Sequence, residues 1–230
     1  DILSGAFGRL NNERAGKFQT ILCGYDLRGS MTTFDQKTGK QSQRPILPKE
    51  SVWYKYERIM TDDYRIISDS SYIDELMSFK KKSISGTQDS DYRRVWTKPI
   101  TTYASNYNNF DISLAPLKEH IFNKVKSQLK VIEAGFHKKA LIVQDFGPYT
   151  IDCVHALERG GTINSKGNAL MIPKTRNHKD WYKHIKRLID NPSLVEDLGE
   201  KLHETVYPRY ALETVTKTRA QWYKEIIKKA

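Results

Sequence analysis

Short apolar runs alternate with longer amphipathic stretches along the chain. Lys139 to Gln144 has the wholly apolar centre Ala140-Leu141-Ile142-Val143. A run this short, apolar on consecutive positions, reads as a strand buried on both faces. Lys17 to Gly24, Tyr64 to Ser68 and Asp111 to Leu117 read as strands too, the last ending at Pro116. Thr162-Ile163 and Ala169 to Ile172 read as short strands about a Gly167-Asn168 turn. Helical spacing fills the intervals. Ile2, Leu3, Ala6, Phe7 and Leu10 mark a first helix, and Trp53 to Met60 and Tyr72 to Phe79 mark two more. Thr101 or Thr102 can cap a helix through Asn109, with Tyr103 and Tyr107 on one face. Ser127 to Phe136 is a helix with Ser127 as its cap, and His155 to Arg159 a helical turn. Asp180 caps a helix carrying Trp181, Ile185 and Leu188. Asn191-Pro192-Ser193 starts another, Leu194 to Val206, and a last helix begins at Leu212.

Strands alternating with helices predict an α/β fold, a Rossmann-like three-layer sandwich with a mostly parallel sheet. Residues 28–48 and 80–91 are polar and rich in breakers. They read as insertions in one domain over 1–230, closed by a C-terminal helix over 212–230.

Composition narrows the function. The chain has 230 residues, with 38 Lys plus Arg against 27 Asp plus Glu, a net charge of +11. Aromatic content of 11% excludes wholesale disorder. No apolar run approaches the ~18 residues of a membrane helix. The opening residues do not read as a signal peptide. Residue 1 is Asp, and the first helix pattern is already under way there, so the chain is expected to be a fragment. Only Cys23 and Cys153 occur, which predicts buried, reduced thiols and a cytoplasmic protein. A strong basic excess suits nucleic acid, an anionic membrane face or phosphorylated small molecules.

The charge is concentrated after one candidate strand. Between Lys118 and Lys139 lie lysines 118, 124, 126, 130, 138 and 139, against Glu119 and Glu133. A strand end, a helix N-terminus and Lys126 together make an anion site suited to phosphate. Glu133, farther along the same helix, can accept from a ribose diol, as acidic residues do in dinucleotide sites. An ordinary capped, solvated basic helix explains the same residues.

The chain also resembles the C-terminal, nucleotide-sugar-binding domain of GT-B glycosyltransferases, most closely the retaining group 1, family 4-like enzymes. The resemblance is carried by Asp111-Ile112-Ser113-Leu114-Ala115-Pro116-Leu117, Phe122-Asn123, Lys126-Ser127-Gln128-Leu129-Lys130-Val131-Ile132-Glu133-Ala134-Gly135, Ala140-Leu141-Ile142-Val143 and Gly147-Pro148-Tyr149. It continues weakly through Gly167-Asn168-Ala169-Leu170 and Trp181. The resemblance implies a hexosyltransferase domain, one half of a GT-B fold. It would bind a nucleotide-diphosphate sugar and pass the sugar to a polysaccharide or lipid-linked acceptor in cell-surface glycan synthesis. It implies metal-independent chemistry with no cofactor, and Glu133 as the ribose contact. Asn123, Lys126, Ser127 and Lys130 are the other expected donor contacts, and Lys130 is placed equally to pair with Glu133. The first glutamate of the family's E-x7-E motif falls at Val125, so that contact does not carry over. No catalytic residue is assigned. The family's basic pair and its N-terminal acceptor domain would precede residue 1, so the piece alone would bind nucleotide and transfer nothing. The expected location is cytoplasmic, with peripheral contact at the inner membrane face through Lys80 to Lys82 and the C-terminal end.

Other patterns weigh less. Asp89-Ser90-Asp91 is a D-x-D sequence in a Ser/Lys loop and not at a strand end, so metal binding there is not expected. The histidines at 120, 137, 155, 178, 184 and 203 have no zinc spacing. No Walker A, G-x-G-x-x-G or G-x-S-x-G sequence is present. The alternative from another class is a basic nucleic-acid-binding α/β module without catalysis, although no RRM, KH, helix-turn-helix or zinc pattern appears. Trp181, Tyr182, Trp222 and Tyr223 read mostly as core anchors, and Trp222-Tyr223 also as a contact to the N-terminal domain.

Overall fold

The computed structural model describes residues 3, 5–25, 30–46, 50, 56, 92–173 and 178–229. The expected elements at 53–60, 64–68 and 72–79, the loop 80–91 and the Asp89-Ser90-Asp91 sequence lie outside the described residues, apart from residue 56. The chain divides into two compact units, essentially Leu3–Asn106 and Tyr107–Ala230.

In the first unit, helix α1 spans Ala6–Glu13 and buries Ala6, Phe7 and Leu10. Those are three of the five residues whose spacing predicted it. Strand β1, Thr20–Tyr25, pairs in parallel with β4, Tyr92–Trp96. Sequence reasoning missed β4, because Arg93-Arg94 interrupts its β-forming residues. Within 28–48, β2, Ser30–Phe34, and β3, Gln41–Pro45, pair antiparallel as a hairpin. Its turn is set by Asp35, whose Oδ1 accepts from the Lys37 and Thr38 N–H groups at 2.8 and 3.3 Å. The β-forming Thr32-Thr33-Phe34 before a turn that holds Asp35 and Gly39 was a readable strand-and-turn signal.

The second unit begins within a 3-10 helix, Tyr103–Asn109, where a helix was expected. The strands β5, Ile112–Ala115, β6, Ala140–Gln144, and β7, Leu170–Ile172, form a parallel sheet in that order. Register runs Ile112 to Ala140 and Ile142 to Leu170. All five residues of β6 are buried, as a strand covered on both faces requires. Between β5 and β6 lie α2, Ile121–Lys124, and α3, Leu129–Phe136. After β7 come α4, His178–Asp190, α5, Pro192–Tyr210, and α6, Leu212–Lys229. Helices α3, α4 and α5 all pack on β6, and α3 packs on α5. Among the described residues no helix is long and apolar enough to cross a membrane. The unit is thus α/β with a parallel sheet and packed helices.

Several expectations need correction. Residues 155–159 form no helical turn; Leu157 bridges Ile163 across the reversal at Gly160-Gly161, and His155 bridges Ala169 in parallel. Asp180 stands in the first turn of α4 and is not its cap. Ile163 joins no strand. Trp181, Ile185 and Leu188 are core residues as expected, but Trp222 and Tyr223 are exposed on α6. Cys153 is free and buried, and burial pushes its thiol up to about 12. Cys23 is only half-buried.

Two histidines flank β7. His155 Nδ1 accepts the Met171 N–H at 2.9 Å, and its ring meets that of His184 edge-on at 5.7 Å. Burial, reinforced by His155, pushes His184 down to about 4; Asp180 opposes this and Arg187 adds to it. Burial likewise lowers His155, against Asp145. The neutral forms are therefore favoured by folding. Their contribution is complete above the free-histidine range near 6.5 and is lost as pH falls from there toward 4. Urea unfolding at pH 7.5 and 4.5 should differ by up to about 3 kcal/mol from His184. The dependence should flatten in His184→Asn; an unchanged pH profile in that variant would contradict the assignment.

Candidate functional site

Helix α2 and the start of α3 follow β5, and the 3-10 turn Gly147–Ile151 follows β6, so all stand at the carboxyl ends of parallel strands. That is where ligands bind in open α/β sheets. Helix α2 packs against the turn. At Gly147, φ is +61°, and a Cβ would sit 3.0 Å from the Asn123 carbonyl oxygen. Glycine therefore permits both the turn and its close approach to α2.

The five expected contact residues lie in this segment, but they are held differently. Asn123 Nδ2 donates to the Lys118 carbonyl at 2.6 Å, closing the loop on itself. Its side chain braces the loop and does not point a free amide at a ligand. Lys126 lies exposed with Nζ 5.2 Å from the centre of the Phe122 ring. Ser127 is exposed and does not cap α3. The helix starts at Leu129 with Gln128 at the N-cap, and no side-chain cap bond is made. The first intrahelical bonds run from the Val131 and Ile132 N–H groups to the Gln128 carbonyl, at 2.9 and 3.1 Å. The cap of α3 is therefore set one residue later than the sequence suggested.

Lys130 and Glu133 do meet. Lys130 Nζ lies 2.9 Å from Glu133 Oε2, as their spacing on α3 permits. The same oxygen accepts the Tyr107 hydroxyl at 2.6 Å. The Glu133 side chain is 18% exposed. Its Oε1 has no hydrogen-bond partner among the described residues. Tyr107 is buried and stacks on His137 with ring centres 4.8 Å apart. Burial lowers the His137 pKa, with Lys139 adding to the effect and Glu133 opposing it. A fixed phenol thus orients one carboxylate oxygen and leaves the other available. Tyr149 is buried in the adjoining turn; burial raises its phenol, Lys130 opposes this, and Cys153 and Glu133 add to it.

No protein-family model matches the chain, and no curated protein matches it. Among the described residues no group of three or more His, Cys, Asp or Glu side chains is placed to hold a metal ion.

A second cluster fixes the start of α3 and had no signal in the sequence. Gln128 Nε2 donates to the Tyr210 hydroxyl at 2.8 Å, and that hydroxyl donates to Asp152 Oδ2 at 2.8 Å. Arg209 Nη1 lies 2.6 Å from Asp152 Oδ1. Burial and the bond to Asp152 raise the Tyr210 phenol. The partners are 82 and 58 residues apart, so spacing could not reveal them.

Proposed function

We propose that the second unit is the donor-binding domain of a glycosyltransferase, Rossmann-like and one half of a GT-B fold. It binds a nucleotide-diphosphate sugar at the carboxyl ends of β5 and β6, for transfer to a polysaccharide or lipid-linked acceptor. The observation that carries this reading is the position of Glu133. An oriented carboxylate, with Oε1 available, lies on the helix whose N-terminal end and Lys126 suit a diphosphate. The parallel sheet and the residues shared with the family point the same way.

The chemistry follows from charge. Breaking the bond between sugar and diphosphate builds negative charge on the leaving oxygens. Lys126, the N–H groups at the start of α3 and the Ser127 hydroxyl supply donors for that charge without a metal. Glu133 Oε1 accepts from the ribose, while Tyr107 keeps the carboxylate in place. Lys130 compensates Glu133 and is not a phosphate ligand in this arrangement. Location at the cytoplasmic face of a membrane belongs to the same proposal.

A thermal-shift screen of UDP, GDP, ADP and CMP tests it. One nucleotide should raise the unfolding temperature, and Lys126→Glu should abolish the shift while leaving the unliganded midpoint unchanged. A shift of equal size in that variant would remove Lys126 from the site.

A further inference from the structure

The segment from Lys118 to Lys130 presents four large apolar side chains to solvent: Ile121 at 73% exposure, Phe122 at 61%, Val125 at 79% and Leu129 at 52%. They are not a frayed end. His120 Nδ1 accepts the Phe122 N–H at 3.1 Å, the Asn123 N–H donates to the His120 carbonyl at 2.9 Å, and Asn123 clamps Lys118. The turn Gly147–Ile151 backs the helix. The loop is braced on its inner side and turns its apolar residues outward. Lysines 118, 124 and 126 are interleaved with them, and Glu119 is the single acid between Lys118 and Lys130.

We infer that this strip is an interfacial membrane-binding surface for anionic lipid headgroups. Apolar side chains enter the boundary between headgroups and acyl chains, while Lys118 and Lys124 meet the phosphates beside them. The interleaving favours a bilayer over a protein partner, because the cores of protein interfaces are depleted in lysine. Three of the four apolar residues are aliphatic and offer no ring for a base to stack on, which argues against single-stranded nucleic acid. The inference does not depend on nucleotide binding. It concerns other residues than the basic runs at 80–82 and at the C-terminal end. A membrane contact at this end of the sheet would set a lipid-borne phosphate beside the carboxyl ends of β5 and β6.

The test is sedimentation of the whole chain with vesicles of phosphatidylcholine alone or mixed with phosphatidylglycerol. Binding should be roughly tenfold or more tighter to the anionic vesicles and should fall with salt. Lys118→Gln with Lys124→Gln should remove most of that preference. Ile121→Ser with Val125→Ser should weaken binding by roughly tenfold even at low salt. These side chains are exposed, so unchanged thermal midpoints verify that both double variants are folded. Equal binding to both vesicle types, no binding, or binding unaffected by either double variant would overturn the inference. So would tighter binding to a single-stranded oligonucleotide that the apolar variant leaves intact. Nucleotide binding is read separately, so loss of the vesicle result alone overturns the strip and not the donor site.

Discussion

Gly199→Ala is expected to destabilise the protein by about 3 kcal/mol or more, although alanine is the better helix former. In the middle of an exposed helix the exchange would stabilise by about 1 kcal/mol. Gly199 lies in α5, where a Cβ would overlap the Lys138 carbonyl oxygen and stand 2.8 Å from the Lys138 carbonyl carbon. Those atoms are backbone and are held on both sides. The Lys138 N–H donates to the Gly135 carbonyl at 3.1 Å and the Lys139 N–H to the Ala134 carbonyl at 2.9 Å, where the chain leaves α3 for β6. Lys138 itself has φ +53°, a left-handed conformation with little freedom to shift. Relief would have to come from moving α5 off the sheet. Urea unfolding decides the matter: a raised midpoint would show that α5 does not press on this turn.

Asp152→Ala is expected to cost about 3 kcal/mol. The Asp152 side chain is 0% exposed, so its loss removes a buried acceptor from the Tyr210 hydroxyl and from Arg209 together. Half-exposed Arg209 recovers some hydration, which keeps the cost below that of a fully buried pair. The contrast is the pair Lys138–Glu200, with side chains 51% and 54% exposed. Glu200→Gln should change stability by less than about 0.5 kcal/mol. Denaturant curves of the two variants test the ranking, and equal effects would contradict it. The larger loss should also release Gln128, the N-cap of α3, from Tyr210.

Sequence pattern reached the second unit well where one physical signal dominated. The apolar run at Ala140 to Val143 gave β6, and Asn191-Pro192 gave the start of α5. It failed where long-range pairing overrode local composition. Arg93 and Arg94 hid β4, which is completed by pairing with β1. Exposure of Trp222 and Tyr223 could not be read, because an amphipathic helix looks the same whether or not its apolar face is covered. At the candidate site, the local pair Lys130–Glu133 was legible from helix spacing. The bond from Tyr107 crosses 26 residues and was not. The bond from the Asn123 amide to the Lys118 carbonyl, which closes the loop, was not legible either.

The most direct test of the account is calorimetric titration of the protein with the nucleoside diphosphate selected by the screen and with its 2′-deoxy counterpart. The ribose form should bind roughly tenfold tighter. Glu133→Gln, which still offers Tyr107 an oxygen acceptor, should erase most of that difference without changing the unfolding midpoint. Equal affinity for the two sugars in the unmodified protein, or a preference that survives in Glu133→Gln, would contradict Glu133 as the ribose contact and with it the donor-site reading.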